Sequence, residues 1–171
     1  MSGEPADVDG SLVNLRCSVV VFRRDGVLLV ERDAEYGGDW VLPGGNPRNG
    51  EGTAACARRE AREETGLEVD PARVAFVLEA SHRGSRLHTI EIVFFGKLAD
   101  SSAEPSQQEP GLRPAFVPLA DLTSLDLRPP LAGHLRALHA RRGDEATAPY
   151  LGNVWRPRPA TPDPAGRTSE G

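Results

Sequence analysis

Between Gly45 and Leu67 the chain reads GNPRNGEGTAACARREAREETGL, and within it Glu60, Glu63 and Glu64 fall at i, i+3 and i+4 of a segment that reads as helix. Those offsets share one helical face, so the three carboxylates gather within about one turn. Like charges at that spacing repel by roughly 0.2–0.5 kcal/mol per pair, even on a solvated helix. A hard divalent cation, which prefers oxygen ligands, turns such repulsion into binding. Taken alone, three glutamates on an Arg-rich helix favour a solvated amphipathic face stitched by charge pairs. The lead-in Leu42-Pro43-Gly44-Gly45, with Glu51 midway to the glutamates, has no place in that plainer reading.

Residue types and spacing together resemble the Nudix box, G-x5-E-x7-R-E-U-x-E-E-x-G-U with U apolar. Gly45, Glu51, Arg59-Glu60, Glu63-Glu64 and Gly66-Leu67 occupy its specified positions, with the small Ala61 at the first U. The resemblance covers the chain from about Leu15 to Arg142. It implies an α/β fold, a Nudix-type α/β/α sandwich with a mixed central sheet. It also implies an enzyme: a Nudix pyrophosphohydrolase that cleaves a diphosphate linkage in a nucleoside diphosphate derivative, with Mg2+ or Mn2+ as cofactor. The physical need is plain, because a water attacking polyphosphate meets repulsion until a cation neutralises the oxygens and lowers that water's pKa.

By motif position the resemblance implies Glu60 and Glu64 as principal metal ligands, Glu63 assisting directly or through water, and the Gly44 carbonyl completing the site. Arg59 and Glu51 stand with Glu60 and Glu63 as catalytic candidates, Arg59 orienting carboxylates by charge-assisted hydrogen bonds. A salt bridge tying loop to helix is the other reading of that pair, and the two are compatible. The general base is a box glutamate or one from a later loop, where Glu109 is the candidate and Glu104 a weaker one. Arg32 resembles a substrate-binding, phosphate-contacting arginine of the family; a plain surface charge is its alternative.

The box says little about the leaving group. Some subfamilies carry a proline or tyrosine shortly beyond it, marking ADP-ribose or dinucleoside polyphosphate preference, and Ala80–Arg86 (ASHRGSR) has neither. A nucleoside triphosphate or a nucleotide sugar is therefore favoured. Two alternatives come from other classes: a non-catalytic Nudix-domain sensor of a nucleotide metabolite, and an isomerase on the same fold. The intact REAREE run argues against both.

The bulk properties narrow partners. A chain of 171 residues suits one domain with a single sizeable core. Net charge of −5 argues against a nucleic-acid-coating protein; the resemblance implies a small nucleotide as partner, and a homodimer is left open. Lysine occurs once, as Lys97, so phosphate contacts fall mostly to arginine and its planar fork. Cys17 and Cys56 are too few for a disulfide framework and lack metal-ligand spacing, so both are expected buried and reduced. With no secretory start and no run of ~18 apolar residues, the expectation is a cytoplasmic protein outside the membrane.

Along the chain, residues 1–12 read as a flexible tail, 13–155 as the catalytic domain, and 156–171 as a disordered Pro-rich tail. Leu15–Phe22 and Val27–Glu31 read as strands joined by a turn in which Asp25-Gly26 supplies positive φ. Ala34–Asp39 is a loop and Trp40–Leu42 an extended piece. Gly52–Thr65 is the main helix, closed by Gly66. Cys56, among Ala54, Ala55 and Ala57, lets that helix pack closely on its support. Val74–Ala80 and Leu87–Leu98 are strands, 99–114 a long loop, and Ala115–Leu119 a return to the sheet. A second helix runs from Pro129 to Arg142, with Leu131, Leu135 and Leu138 as its apolar stripe. Trp40 and Tyr150 could stack on a nucleobase, although packing is the better reading for Trp40. The segment APYLGNVW is expected to pack back on the domain, and His82 and His88 read as ordinary.

Overall fold

The computed structural model describes residues 12–141 and 148–157. Nine strands and two α-helices occur among them: β1 Leu12–Val20, β2 Phe22–Arg23, β3 Gly26–Arg32, β4 Trp40–Val41, β5 Gly44–Gly45, α1 Thr53–Thr65, β6 Val69–Ala80, β7 Leu87–Leu98, β8 Leu112–Pro118, α2 Ala132–Ala140 and β9 Tyr150–Asn153. One sheet runs β5-β1-β7-β6-β9; β2-β3-β4 form a second, joined by β8 along β3. The large sheet is mixed: β1 and β7 are parallel, as are β6 and β9, while β6–β7 and β1–β5 are antiparallel.

Strand alternation sorts the core into two layers. Cys17, Val19 and Val21 bury one face with Phe94 against Cys56, Ala57 and Ala61 of α1. Val20, Val93, Phe76 and Leu78 bury the other with Leu131, Leu135 and Leu138 at and within α2. Helices therefore cover both faces of a mixed sheet, the expected α/β/α layering. Only Cys56 and Ala57 of the small-residue run meet the sheet, because Ala54 and Ala55 face outward. Both cysteines are buried and free.

Several boundaries move for physical reasons. β1 starts at Leu12 because its exposed first residues are held by β7, Leu12 opposite Leu87. β6 starts at Val69, running through Pro71 with register shifts that absorb the missing N–H. In the β2–β3 turn, positive φ falls on Arg24 at 56°, while Gly26 already pairs in β3. The loop before β8 ends at Gly111, and a short 3-10 turn, Leu119–Ser124, follows that strand. Of the expected second helix, Arg142 lies outside the described residues, as do residues 1–11 of the N-terminal tail and 158–171 of the C-terminal one. Among the described residues no helix is long and apolar enough to cross a membrane.

Candidate active site

Helix α1 is set down on the sheet by its small residues and stopped by Gly66, whose φ of 72° suits the left-handed C′ position and whose N–H bonds the Arg62 carbonyl at 2.9 Å. This placement presents its acidic edge to β5. Gly45 leaves room for the Glu60 carboxylate, since a Cβ there would stand 2.6 Å from Glu60 Oε1 and push that side chain aside. At Gly44 a Cβ would meet the Cys17 carbonyl at 2.5 Å, so β1 and α1 close on this two-residue strand from either side.

Arg59 is the centre of the edge. Its Nε and Nη2 donate to Glu51 Oε1 and Oε2, each at 2.8 Å, a bidentate fork. Its Nη1 donates to Glu60 Oε1 at 2.6 Å and Glu63 Oε2 at 2.8 Å, and Nη2 reaches the Asn46 carbonyl at 3.2 Å. The Arg48 N–H also donates to Glu51, and Arg48 Nη2 donates to Glu63 Oε1 at 3.0 Å. The Arg59 fork, aided by the Arg48 N–H, holds the Glu51 carboxyl down at about 2. Arg59, gripped by three carboxylates, is raised further above its ordinary value. Loop bridge and carboxylate orienter are thus one arrangement.

Glu64 behaves otherwise. It takes the Gly44 N–H on Oε2 at 3.0 Å. Burial, helped by the charges of Glu60 and Glu109 and opposed by that of Arg16, pushes its carboxyl up to about 7. Gly44 therefore touches the box through its N–H.

The donor set fits a hard cation: carboxylate oxygens on adjacent turns, with a glycine where a side chain would block Glu60. It is not a preassembled cage. Among the described residues no three Asp, Glu, His or Cys groups stand together in a metal-holding set, because Arg59 draws Glu60 and Glu63 while Glu64 turns to Gly44.

Glu109 is exposed in the loop before β8, and its charge reaches Glu64. That loop is tied down, with Ser106 N–H on the Thr65 carbonyl at 2.9 Å and Arg23 Nη1 on the Ala103 carbonyl at 2.8 Å. Glu104 instead pairs with Arg23 at 3.0 Å. Arg32 Nε donates to Asp39 Oδ1 at 2.6 Å, a carboxylate only 1% exposed, so Arg32 is more than a loose surface charge.

Arg32 also lines a cavity of about 460 Å³ that the sequence did not reveal. Arg16, Glu91, Arg128, Trp155 and Arg156 share its wall. Arg16 joins the two places: it bonds the Leu42 carbonyl at 2.9 Å, lies 3.4 Å from Glu91 Oε1, and its charge lowers the Glu64 carboxyl. One signal was available. Thr89, Glu91 and Val93 alternate on one face of β7, and a glutamate in that row is out of place in a dry core. Trp40 is half-buried against the core beneath α2. Tyr150 is exposed and donates to Glu79, whose other oxygen faces His88 Nε2 at 2.7 Å. His82 stacks on Trp155.

Residues 14–138 match the NUDIX domain family. An ADP-ribose pyrophosphatase of Streptococcus suis is 25% identical over 80% of this chain and 98% of its own, with a TM-score of 0.63. A Nudix hydrolase family member from Chromobacterium violaceum is also 25% identical, over 80% and 83%, with a TM-score of 0.57. The MutT protein of Methanosarcina mazei shares the fold at 20% identity over 79% and 98%, with a TM-score of 0.64.

Proposed function

From the premise that this chain belongs to the NUDIX family and is a Nudix pyrophosphohydrolase, we propose that it cleaves a diphosphate linkage in a nucleoside diphosphate derivative, with a nucleoside triphosphate or nucleotide sugar favoured. The observation that carries this reading is the intact acidic edge of α1, with Glu60, Glu63 and Glu64 on adjacent turns beside Gly44 and Gly45. Glu60 and Glu64 would hold Mg2+ or Mn2+, with Glu63 and the Gly44 carbonyl completing the shell. When bound, such a cation neutralises phosphate oxygens and lowers the pKa of an attacking water.

The remaining work falls to the chain's own residues. Glu51 locks the Arg59 fork, and Arg59 fixes the rotamers of Glu60 and Glu63. The attacking water gives its proton to a box glutamate; Glu109 is the alternative base. Arg16 and Arg32, both on the cavity wall, steady the phosphates between edge and cavity. A phosphate-release screen with purified protein and Mg2+, over nucleoside triphosphates, nucleotide sugars and dinucleotides, tests the reading. Release from one class supports it, and no release from any class removes it.

A further inference from the structure

Three rows of side chains cross the face of the sheet that α2 packs on. Ser18, Val93 and Phe76 form the first, Arg16, Glu91 and Leu78 the next, and Asn14, Thr89 and Ala80 the last. Moving along them, the face turns from apolar to polar. The polar end is roofed by Pro129, Pro130 and Trp155 rather than by α2. Glu91 is 3% exposed. Its Oε1 accepts from Ser18 Oγ at 2.5 Å and faces Arg16 Nε at 3.4 Å, while Oε2 accepts from nothing among the described residues. A carboxylate can only accept, so this cavity wall calls for a donor.

Trp155 lies beyond the residues that match the family, and the structure fastens it firmly. Val154 beside it is buried and gives its N–H to the Glu79 carbonyl at 3.0 Å. Arg128 Nη1 donates to the Arg156 carbonyl at 3.0 Å. His82 stacks on the indole at 4.4 Å between centroids, and the ring, 37% exposed, keeps further surface on the cavity. A held aromatic ring and a bare acceptor in one cavity match a planar heterocycle with an N–H edge.

We propose that Trp155 and Glu91 select the base of the nucleotide. The base stacks on Trp155 and an N–H on its edge donates to Glu91 Oε2, so bases with an edge donor are taken over analogues that present only ring acceptors there. This rests on the hydrolase reading above. Arg16, between Glu91 and Glu64, then leads the phosphates toward the acidic edge.

Calorimetric titration of the full-length protein with CMP, AMP and their donor-free counterparts, zebularine 5′-monophosphate and purine riboside 5′-monophosphate, in chelator, tests the selection without turnover. CMP should bind more tightly than zebularine monophosphate, and AMP than purine riboside monophosphate, by about tenfold or more, because a site built around an acceptor disfavours a ligand that cannot donate to it. Trp155→Ala should weaken all four by about tenfold, the worth of one stacked base, and Trp155→Phe should restore most of that. Glu91→Gln, which offers a donor, should erase or reverse the preference. Equal affinities within each pair, unchanged binding by Trp155→Ala, or no binding of any monophosphate would overturn the proposal. If Glu91→Gln does not fold, the two wild-type ratios decide alone. Hydrolysis without base preference sinks only this inference, whereas base preference without hydrolysis sinks only the enzyme reading.

Discussion

The acidic edge of α1 and the arginine-lined cavity lie on either side of Arg16, and they handle charge in opposite ways. Along the edge, Glu51, Glu60 and Glu63 converge on Arg59, so carboxylates outnumber their central cation, and Glu64 has none of its own. Across the cavity, Arg16 faces Glu91, Arg32 faces Asp39 and Arg128 faces Asp126, so each of these guanidinium groups meets a carboxylate. Arg128 Nε sits 2.7 Å from Asp126 at an angle that makes no hydrogen bond. Surplus negative charge suits a cation and chemistry on phosphate. Near-neutral polar walls suit recognition by shape and hydrogen bonds. Substitutions on the edge should therefore strike turnover, and those in the cavity should strike binding.

The largest effect should come from the edge. Chelation should abolish turnover, and Glu64→Gln should lower kcat by about 10²-fold or more, since a bound cation supplies several kcal/mol of transition-state stabilisation. Near-normal kcat at saturating Mg2+ would break the division of labour at its root. In metal-free protein the same change should raise Tm, because it removes a charge crowded by Glu60 and Glu109.

Arg32→Ala tests the cavity side. Taking the Arg32 guanidinium away from the buried Asp39 carboxylate should cost about 1–3 kcal/mol of stability, and adding Asp39→Asn should return part of it. If KM stays raised in the stable double variant with kcat little changed, Arg32 binds substrate; a recovered KM makes it purely structural. Glu109→Gln sharpens the boundary between the two regions. An exposed carboxylate should cost less than about tenfold in kcat, and a 10²–10⁴-fold loss with metal binding intact would make it the general base.

The two sides of the box should also part in pH. Glu64 is raised from 4.5 to about 7, so the folded metal-free chain holds that proton more tightly than the unfolded one. Its contribution to stability is full below 4.5 and lost as pH rises through about 7. Glu51 is lowered from 4.5 to about 2, so its contribution is present above 4.5 and lost as pH falls toward 2. Urea unfolding in chelator should give a stability maximum between, and Glu64→Gln should flatten only the alkaline limb. The smallest effect is expected from deleting 158–171, which should leave Tm and turnover unchanged. Cutting before Val154 should lower Tm, because a buried apolar side chain is lost.

What could be read from residues alone follows the same divide. The helix, its Gly66 stop and the Arg59–Glu51 link were legible because each depends on neighbours a few positions away in sequence. β7 showed its full length, Leu87–Leu98, for the same reason. The short strands β5 and β9 carry no period of their own and exist only because β1 and β6 offer free edges. The cavity was hidden because Arg16, Arg32, Glu91, Arg128 and Trp155 come from segments that no spacing rule connects. The direction of Glu64 was equally out of reach, since helical offset fixes a face but leaves the rotamer to packing.

The pairing of β1 with β7 has a consequence in time. During synthesis the first strand leaves the ribosome long before its parallel partner, Leu12 waiting for Leu87 and Val20 for Phe95. Helix α1 can form meanwhile, but the strand it must lie on has no neighbour on that side until β7 emerges. The cavity waits longer still, for Val154 and Trp155 at the far end of the chain. Pairings that join such distant segments carry a loop-closure cost before any contact repays it, which makes them slow steps of folding. A nascent chain therefore acquires its acidic edge early and its nucleotide-sized cavity last, so a ribosome-stalled fragment ending before β9 would carry the edge without the completed pocket.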